Sequence, residues 1–223
     1  MNSDNVMTAV RAILAAAVVA LAAASAAAAD AVLVQAQGQV YVLAKGAKSY
    51  SRAKRGQDLA YGDHVRCGEG AIAQIALGGR GAVLVRGNSS FTLLGDADRT
   101  TLNFRFGEFL IGLRRALTEG QTFQVRTPAA VAAVRGTLFW GKSDEAKTTT
   151  YAGFGHVISV TAQGKTVLVS AGQKTTVALG QPPAPPAPHD IPVSYLDNFK
   201  IGGSLLDVLS LVDLPQSTRP APR

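Results

Sequence analysis

The sequence predicts an all-β protein: stacked short antiparallel strands, solenoid-like or sandwich-like, with a short C-terminal helix. Three observations carry this. From Ala31 to Leu179 apolar and polar residues alternate in short runs, and period two puts one side of a strand in a core and the other in water. Gly, Asn and Asp interrupt the runs at intervals of roughly 8–12 residues, the spacing of a sandwich, barrel or coiled β-stack. The body offers almost no capped apolar run of 3.6-residue period, which disfavours bundles and doubly wound folds.

The elements follow in order. Residues 1–29 read as a signal peptide. Arg11 precedes the uncharged, alanine-rich stretch Ala12–Ala29, whose centre holds Ile13, Leu14, Val18, Val19 and Leu21. Ala27-Ala28-Ala29 then offers a small-residue cleavage site before Asp30. The stretch is too alanine-diluted for a span of ~20 strongly apolar residues, and no later segment is apolar enough for one. The expectation is a periplasmic or envelope-associated product with no transmembrane span after cleavage.

Residues 30–180 form the β-domain. Val32 and Val34 alternate with Leu33 and Gln35, and Val40–Leu43 follows Gly38-Gln39. Ala73, Ile75 and Leu77 lead to a Gly78-Gly79 turn, then Val83 and Val85, then Phe91–Leu94. Leu102, Phe104 and Phe106 form one strand, and a Gly107-Glu108 turn leads to Phe109-Leu110-Ile111. Phe123 and Val125, Leu138–Trp140, Val157–Val160, Thr166–Val169 and Thr175–Leu179 complete the set. Residues 181–190 read as a proline-rich, extended linker. In the tail, 191–223, Ser204–Asp207 resembles a capping box. Leu205, Val208, Leu209 and Val212 then share one face of a short helix that Pro215 ends.

Composition narrows the chemistry. One cysteine makes no internal disulfide, and Cys67 reads as a buried small hydrophobe. Three scattered histidines suit no multi-histidine metal centre, and no phosphate loop or dinucleotide fingerprint occurs. No metal, no cofactor and no enzyme activity are therefore expected. Ser89-Ser90 lacks a nucleophile-elbow frame, and His64, beside Asp63, reads as a surface histidine in a turn. A carbohydrate-active β-helix enzyme would need a groove of acids or aromatics. The chain has one tryptophan and few acids.

The net charge is +7, and its densest expression is Lys45, Lys48, Arg52, Lys54 and Arg55, an acid-free cluster around Tyr50. Such a loop sets up a local positive field. It reads as a solvated loop or as a contact for an anionic surface, glycan or cell-wall polymer. Nucleic acid would suit the charge but not an exported product. Arg86, Arg105 and Arg126 read as charges that blunt open strand edges.

One segment stands apart: Thr127-Pro128, then Val134, Arg135, Gly136 and Thr137. Pro128 biases Thr127 toward extended backbone, Gly136 permits positive φ, and Arg135 offers five donors in a planar fork. The set reads as a structural tie between loops, or as a grip on a carboxylate or phosphate.

The motifs resemble the FecR-type periplasmic domain family. Leu59-Ala60-Tyr61-Gly62-Asp63-His64-Val65 followed by Ala71–Leu77 is similar to its opening turn. Leu102–Phe109 resembles its L-x-x-G-x-F element. Phe123-Gln124-Val125-Arg126-Thr127-Pro128, with Val134-Arg135-Gly136-Thr137-Leu138-Phe139, resembles its F-x-V-x-T-P … V-R-G-T-x-F core. Val167–Gln173 resembles its closing turn. The likeness runs from about Val34 to Val177. It implies a non-catalytic β-domain that senses or scaffolds outside the cytoplasm, engaging a protein or envelope component. Family members that relay to a sigma factor carry a cytosolic helical domain and a membrane link. This sequence more resembles the stand-alone exported members.

Overall fold

The computed structural model describes residues 31–201 apart from 78, 79, 97, 114–116, 118 and 135. The signal segment, the Gly78-Gly79 turn, Arg135 and the helix expected over Leu205–Val212 lie outside the described residues.

The strands are β1 (Ala31–Gln37), β2 (Val40–Leu43), β3 (Ser51–Arg52), β4 (Gln57–Leu59), β5 (His64–Cys67), β6 (Ile72–Ala76), β7 (Gly81–Arg86), β8 (Ser89–Gly95), β9 (Arg99–Leu113), β10 (Thr122–Arg126), β11 (Val131–Val134), β12 (Leu138–Ser143), β13 (Thr149–Gly153), β14 (Ile158–Ala162), β15 (Lys165–Val169), β16 (Gln173–Val177) and β17 (Ala187–Pro188). They form two layers. Sheet A runs β4-β1-β6-β7-β9-β12-β13-β16-β17. Sheet B runs β3-β2-β5-β8-β9-β10-β11-β14-β15. Among the described strands only the β9–β10 pairing is parallel. The all-β expectation holds, in its sandwich-like form, with open edges rather than a closed barrel.

Strand β9 belongs to both layers. Thr100–Phe106 pairs with β8 in sheet B, and Gly107–Gly112 pairs with β12 in sheet A. The sequence suggested two strands around a Gly107-Glu108 turn; the structure shows one strand that crosses between layers at Gly107. The cause is local. Gly107 has φ +125°, and a Cβ there would collide with the Ser89 side chain and come within 2.6 Å of Ser89 Cα. Ser89 Oγ accepts the Glu108 amide at 3.0 Å, fixing the crossing point.

The main core fills the space between the layers. Phe91 and Phe104 from sheet B stack at 4.9 Å between centroids. Phe104 stacks on Phe109 from sheet A at 4.4 Å, and Phe109 meets Phe139 edge-on at 6.1 Å. Each such pair adds about 0.5–1.5 kcal/mol beyond area burial. Gly141, opposite Phe109 in the register, leaves room for that ring.

Sheet A is also covered on its outer face. Ala82, Leu84, Leu110, Leu138, Trp140, Ala152 and Phe154 form a second core with Leu196 and Phe199 of a short 3-10 helix, Val193–Phe199. Burial on both faces explains why β7 and the second half of β9 read as unbroken apolar runs rather than alternations. Glu108 anchors this tail. Its Oε1 accepts Trp140 Nε1–H and the Tyr195 hydroxyl, each at 2.8 Å, and Arg86 lies 3.6 Å from its Oε2. The Arg86 guanidinium also stands over the Tyr195 and Phe199 rings.

Arg86, Arg105 and Arg126 do not guard edges. They sit on β7, β9 and β10, each flanked by strands on both sides. Alternation marks a strand but not its place in a sheet. The proline-rich segment lies along β16. Ala184 N–H donates to Thr176 O at 3.0 Å, and Ala187–Pro188 extends sheet A by one short strand.

Gly107→Ala is expected to lower the unfolding free energy by roughly 2–5 kcal/mol, positive-φ strain adding to overpacking. Gly120→Ala, at φ +86° in open space, is expected to cost about 1–2 kcal/mol. Urea denaturation of both variants measures the difference.

Candidate functional site

Residues that alternate with core residues on β2 and β5 face outward from sheet B. Tyr41 lies between buried Val40 and Val42; His64 and Arg66 alternate with buried Val65 and Cys67. The register sets Tyr41 between Arg52 and Arg66, and Arg66 beside Ser90. Tyr50, from the β2–β3 loop, folds over this face. Its hydroxyl bonds His64 Nδ1 at 2.8 Å, and the two rings meet edge-on at 5.7 Å. His64 Nε2 bonds Ser90 Oγ at 3.0 Å. Gln39, Tyr41, Tyr50, Arg66 and Gly68 line an open cleft of about 330 Å³.

Arg66 lines it, and Arg52 and Arg105 stand on the same face of sheet B. Arg52 donates through Nη2 to Gly38 O at 2.8 Å and lies over the Tyr41 ring at 5.8 Å. Arg66 is exposed on β5. Arg105 occupies a bulge: Ser90 pairs with Phe106 and Phe91 with Phe104, so Arg105 faces no cross-strand residue. Burial, then the charges of Arg105 and Arg66, hold the His64 imidazole below its ordinary 6.5. His64 thus bridges Tyr50 and Ser90 behind the Tyr50 wall of the cleft. Ser90 is 4 % exposed, so its hydroxyl is covered rather than presented as a nucleophile.

The five residues of the basic cluster are all exposed. Lys45 and Lys48 occupy the β2–β3 loop, Arg52 lies on sheet B, and Lys54 and Arg55 lie on the connection from the edge of sheet B to the edge of sheet A. The loop is tied down by Asp63, whose carboxylate accepts the Lys45 and Ala60 amides at 2.9 and 3.0 Å. His64 starts a strand rather than occupying a turn.

The Thr127–Thr137 segment sits elsewhere. Thr127 closes the β10–β11 turn, its amide donating to Ala130 O at 2.9 Å ahead of Pro128. Its hydroxyl meets the buried Tyr151 hydroxyl at 3.1 Å and accepts from Thr149 Oγ1 at 2.9 Å, joining sheet B to β13 of sheet A. Val134 is buried at the end of β11, and Gly136 has φ +108° where the chain leaves sheet B for β12. Thr137 Oγ1 donates to His156 O at 3.0 Å. Among the described residues no three His, Cys, Asp or Glu side chains gather as metal ligands.

Sequence reasoning singled out the basic loop but missed Tyr41, Arg66 and Arg105. The signal was present: each alternates with core residues on its strand. What alternation does not show is which strands neighbour one another.

Fold and site together define a two-layered β-domain presenting a cationic, aromatic face. Residues 63–173 match the family model described as FecR protein, and the chain belongs to that family. No curated protein matches significantly. A candidate anti-sigma factor from Parabacteroides distasonis, solved at 2.50 Å, shares the fold with TM-score 0.52 and 17 % identity. The match covers 59 % of this chain and 62 % of that one. A second structure under the same description, at 1.65 Å, gives TM-score 0.49 and 17 % identity over the same shares.

Two outcomes are expected. His64 takes up its proton at lower pH folded than unfolded, so its contribution is neutral above 6.5 and destabilising as pH falls below it. The melting temperature of His64→Gln should fall less than that of the parent between about pH 7.5 and pH 5. Burial pushes the Cys67 thiol up to about 12, so the native protein should resist a thiol reagent at about pH 8 and react after denaturation.

Proposed function

We propose that the chain is an exported, non-catalytic module of the cell envelope that senses or scaffolds by engaging a protein or an envelope component. The observation that carries this is the FecR match over 63–173, lying on a two-layered β-domain whose sheet B face is exposed and cationic. The anti-sigma-factor description of the solved relative agrees with a regulatory role. Among the described residues no helix is long and apolar enough to cross a membrane. The alanine-rich leader supplies the route out of the cytoplasm, and periplasmic residence follows from it. In this reading Thr127, Pro128, Val134, Gly136 and Thr137 tie the layers together, and the ligand surface lies elsewhere.

Osmotic-shock fractionation with intact-mass analysis tests the reading. The expected result is a chain beginning at Asp30 in the periplasmic fraction, retaining envelope partners on affinity purification. A chain retaining residues 1–29 in the cytosol would overturn it.

A further inference from the structure

We infer that the sheet B cleft binds a carboxylate-bearing polysaccharide, with Arg66 and Arg105 on the acid groups and Tyr41 and Tyr50 against the sugar rings. The inference rests on the envelope reading and assigns that reading a ligand class and a site. Three observations and one rule of anion recognition support it. The guanidinium groups of Arg66 and Arg105 have no hydrogen-bond or ion-pair partner among the described residues, and the register sets Arg66 opposite Ser90 with Arg105 in the bulge across from the same residue. A guanidinium fork matches a carboxylate in two parallel hydrogen bonds. Two tyrosines and the Gln39 amide line a cleft of about 330 Å³, within the size range of small-ligand sites. Tyr50 is held in place by His64, itself seated on Ser90, so the aromatic wall is formed before any ligand arrives.

The face continues beyond the cleft. Asn103 pairs with Thr92 on β8 and Arg126 on β10, and Gln124 pairs with Thr101. These are amides, hydroxyls and a further cation. The strand positions that face outward with them, from β5 to β10, include no acid. Of the acids close by in the chain, Glu69 lies in the turn after Gly68, Asp63 is taken up by the Lys45 and Ala60 amides, and Glu108 is engaged by Trp140, Tyr195 and Arg86 on sheet A. A polymer with regularly spaced carboxylates and hydroxyls complements such a row. An acidic peptide would supply the charge but not the ring faces that two tyrosines accept.

Binding of the purified full chain to polygalacturonate, neutral dextran and poly-glutamate, followed by titration calorimetry, decides the matter. Polygalacturonate should bind, dextran should not, and poly-glutamate should bind at least about tenfold more weakly. An Arg66→Ala/Arg105→Ala variant of unchanged melting temperature should lose about tenfold or more in affinity for polygalacturonate. Tyr50→Phe, which keeps the ring, should retain more affinity than Tyr50→Ala. Replacing Lys45, Lys48, Lys54 and Arg55 by Gln should change affinity less than about threefold. Equal binding of poly-glutamate, no binding of polygalacturonate, or loss confined to the loop variant would overturn the assignment. Each of those results leaves the fractionation test of export untouched.

Discussion

One fifteen-residue strand serves both layers, and the register of each layer is set against it. Gly107 makes this possible, since backbone at φ +125° packed on Ser89 leaves no space for a side chain. On one side of that residue Phe104 faces the core from sheet B; on the other Phe109 faces it from sheet A. The two rings stack across the crossing, so the aromatic core and the change of layer are one feature. The hairpins then fall into place by alternation: β10–β11 in sheet B, β12–β13 in sheet A, β14–β15 in sheet B.

Where the chain changes layer, hydroxyl groups do the tying. Thr127 links the end of β10 to Thr149 and Tyr151 on β13, and Thr137 holds the start of β12 to the turn at His156. Buried hydroxyls of this kind are costly when unpaired, and these all find partners. The threonines of this segment are thus accounted for by satisfaction of the interior. The cationic face of sheet B is not, since the Arg66 and Arg105 guanidiniums lack partners among the described residues.

Much of the fold was legible because burial on one face leaves a two-residue rhythm, as in Phe123-Gln124-Val125-Arg126. It failed where that rhythm is absent. Residues 107–113 are buried on both faces, so the sequence around Gly107 looked like a punctuated turn. The helix expected at Leu205–Val212 lies outside the described residues; among those described, Leu196 and Phe199 of the tail enter the second core without having been singled out in the sequence. Nothing in their spacing revealed that sheet A lacked a cover. The site was half legible: the charge cluster at 45–55 was visible, but Arg66 and Arg105 come together only through pairing of β5, β8 and β9.

The anchoring of the tail by Glu108 sets where the polypeptide departs. Gln74 Nε2 donates to Phe199 O at 3.2 Å, so the chain passes Lys200 above the middle of sheet A, not at its rim. That exit and the arginine-bearing surface lie on opposite sides of the molecule. A contact made on the helix-covered face of sheet A and one made on the arginine-bearing face of sheet B would not obstruct each other.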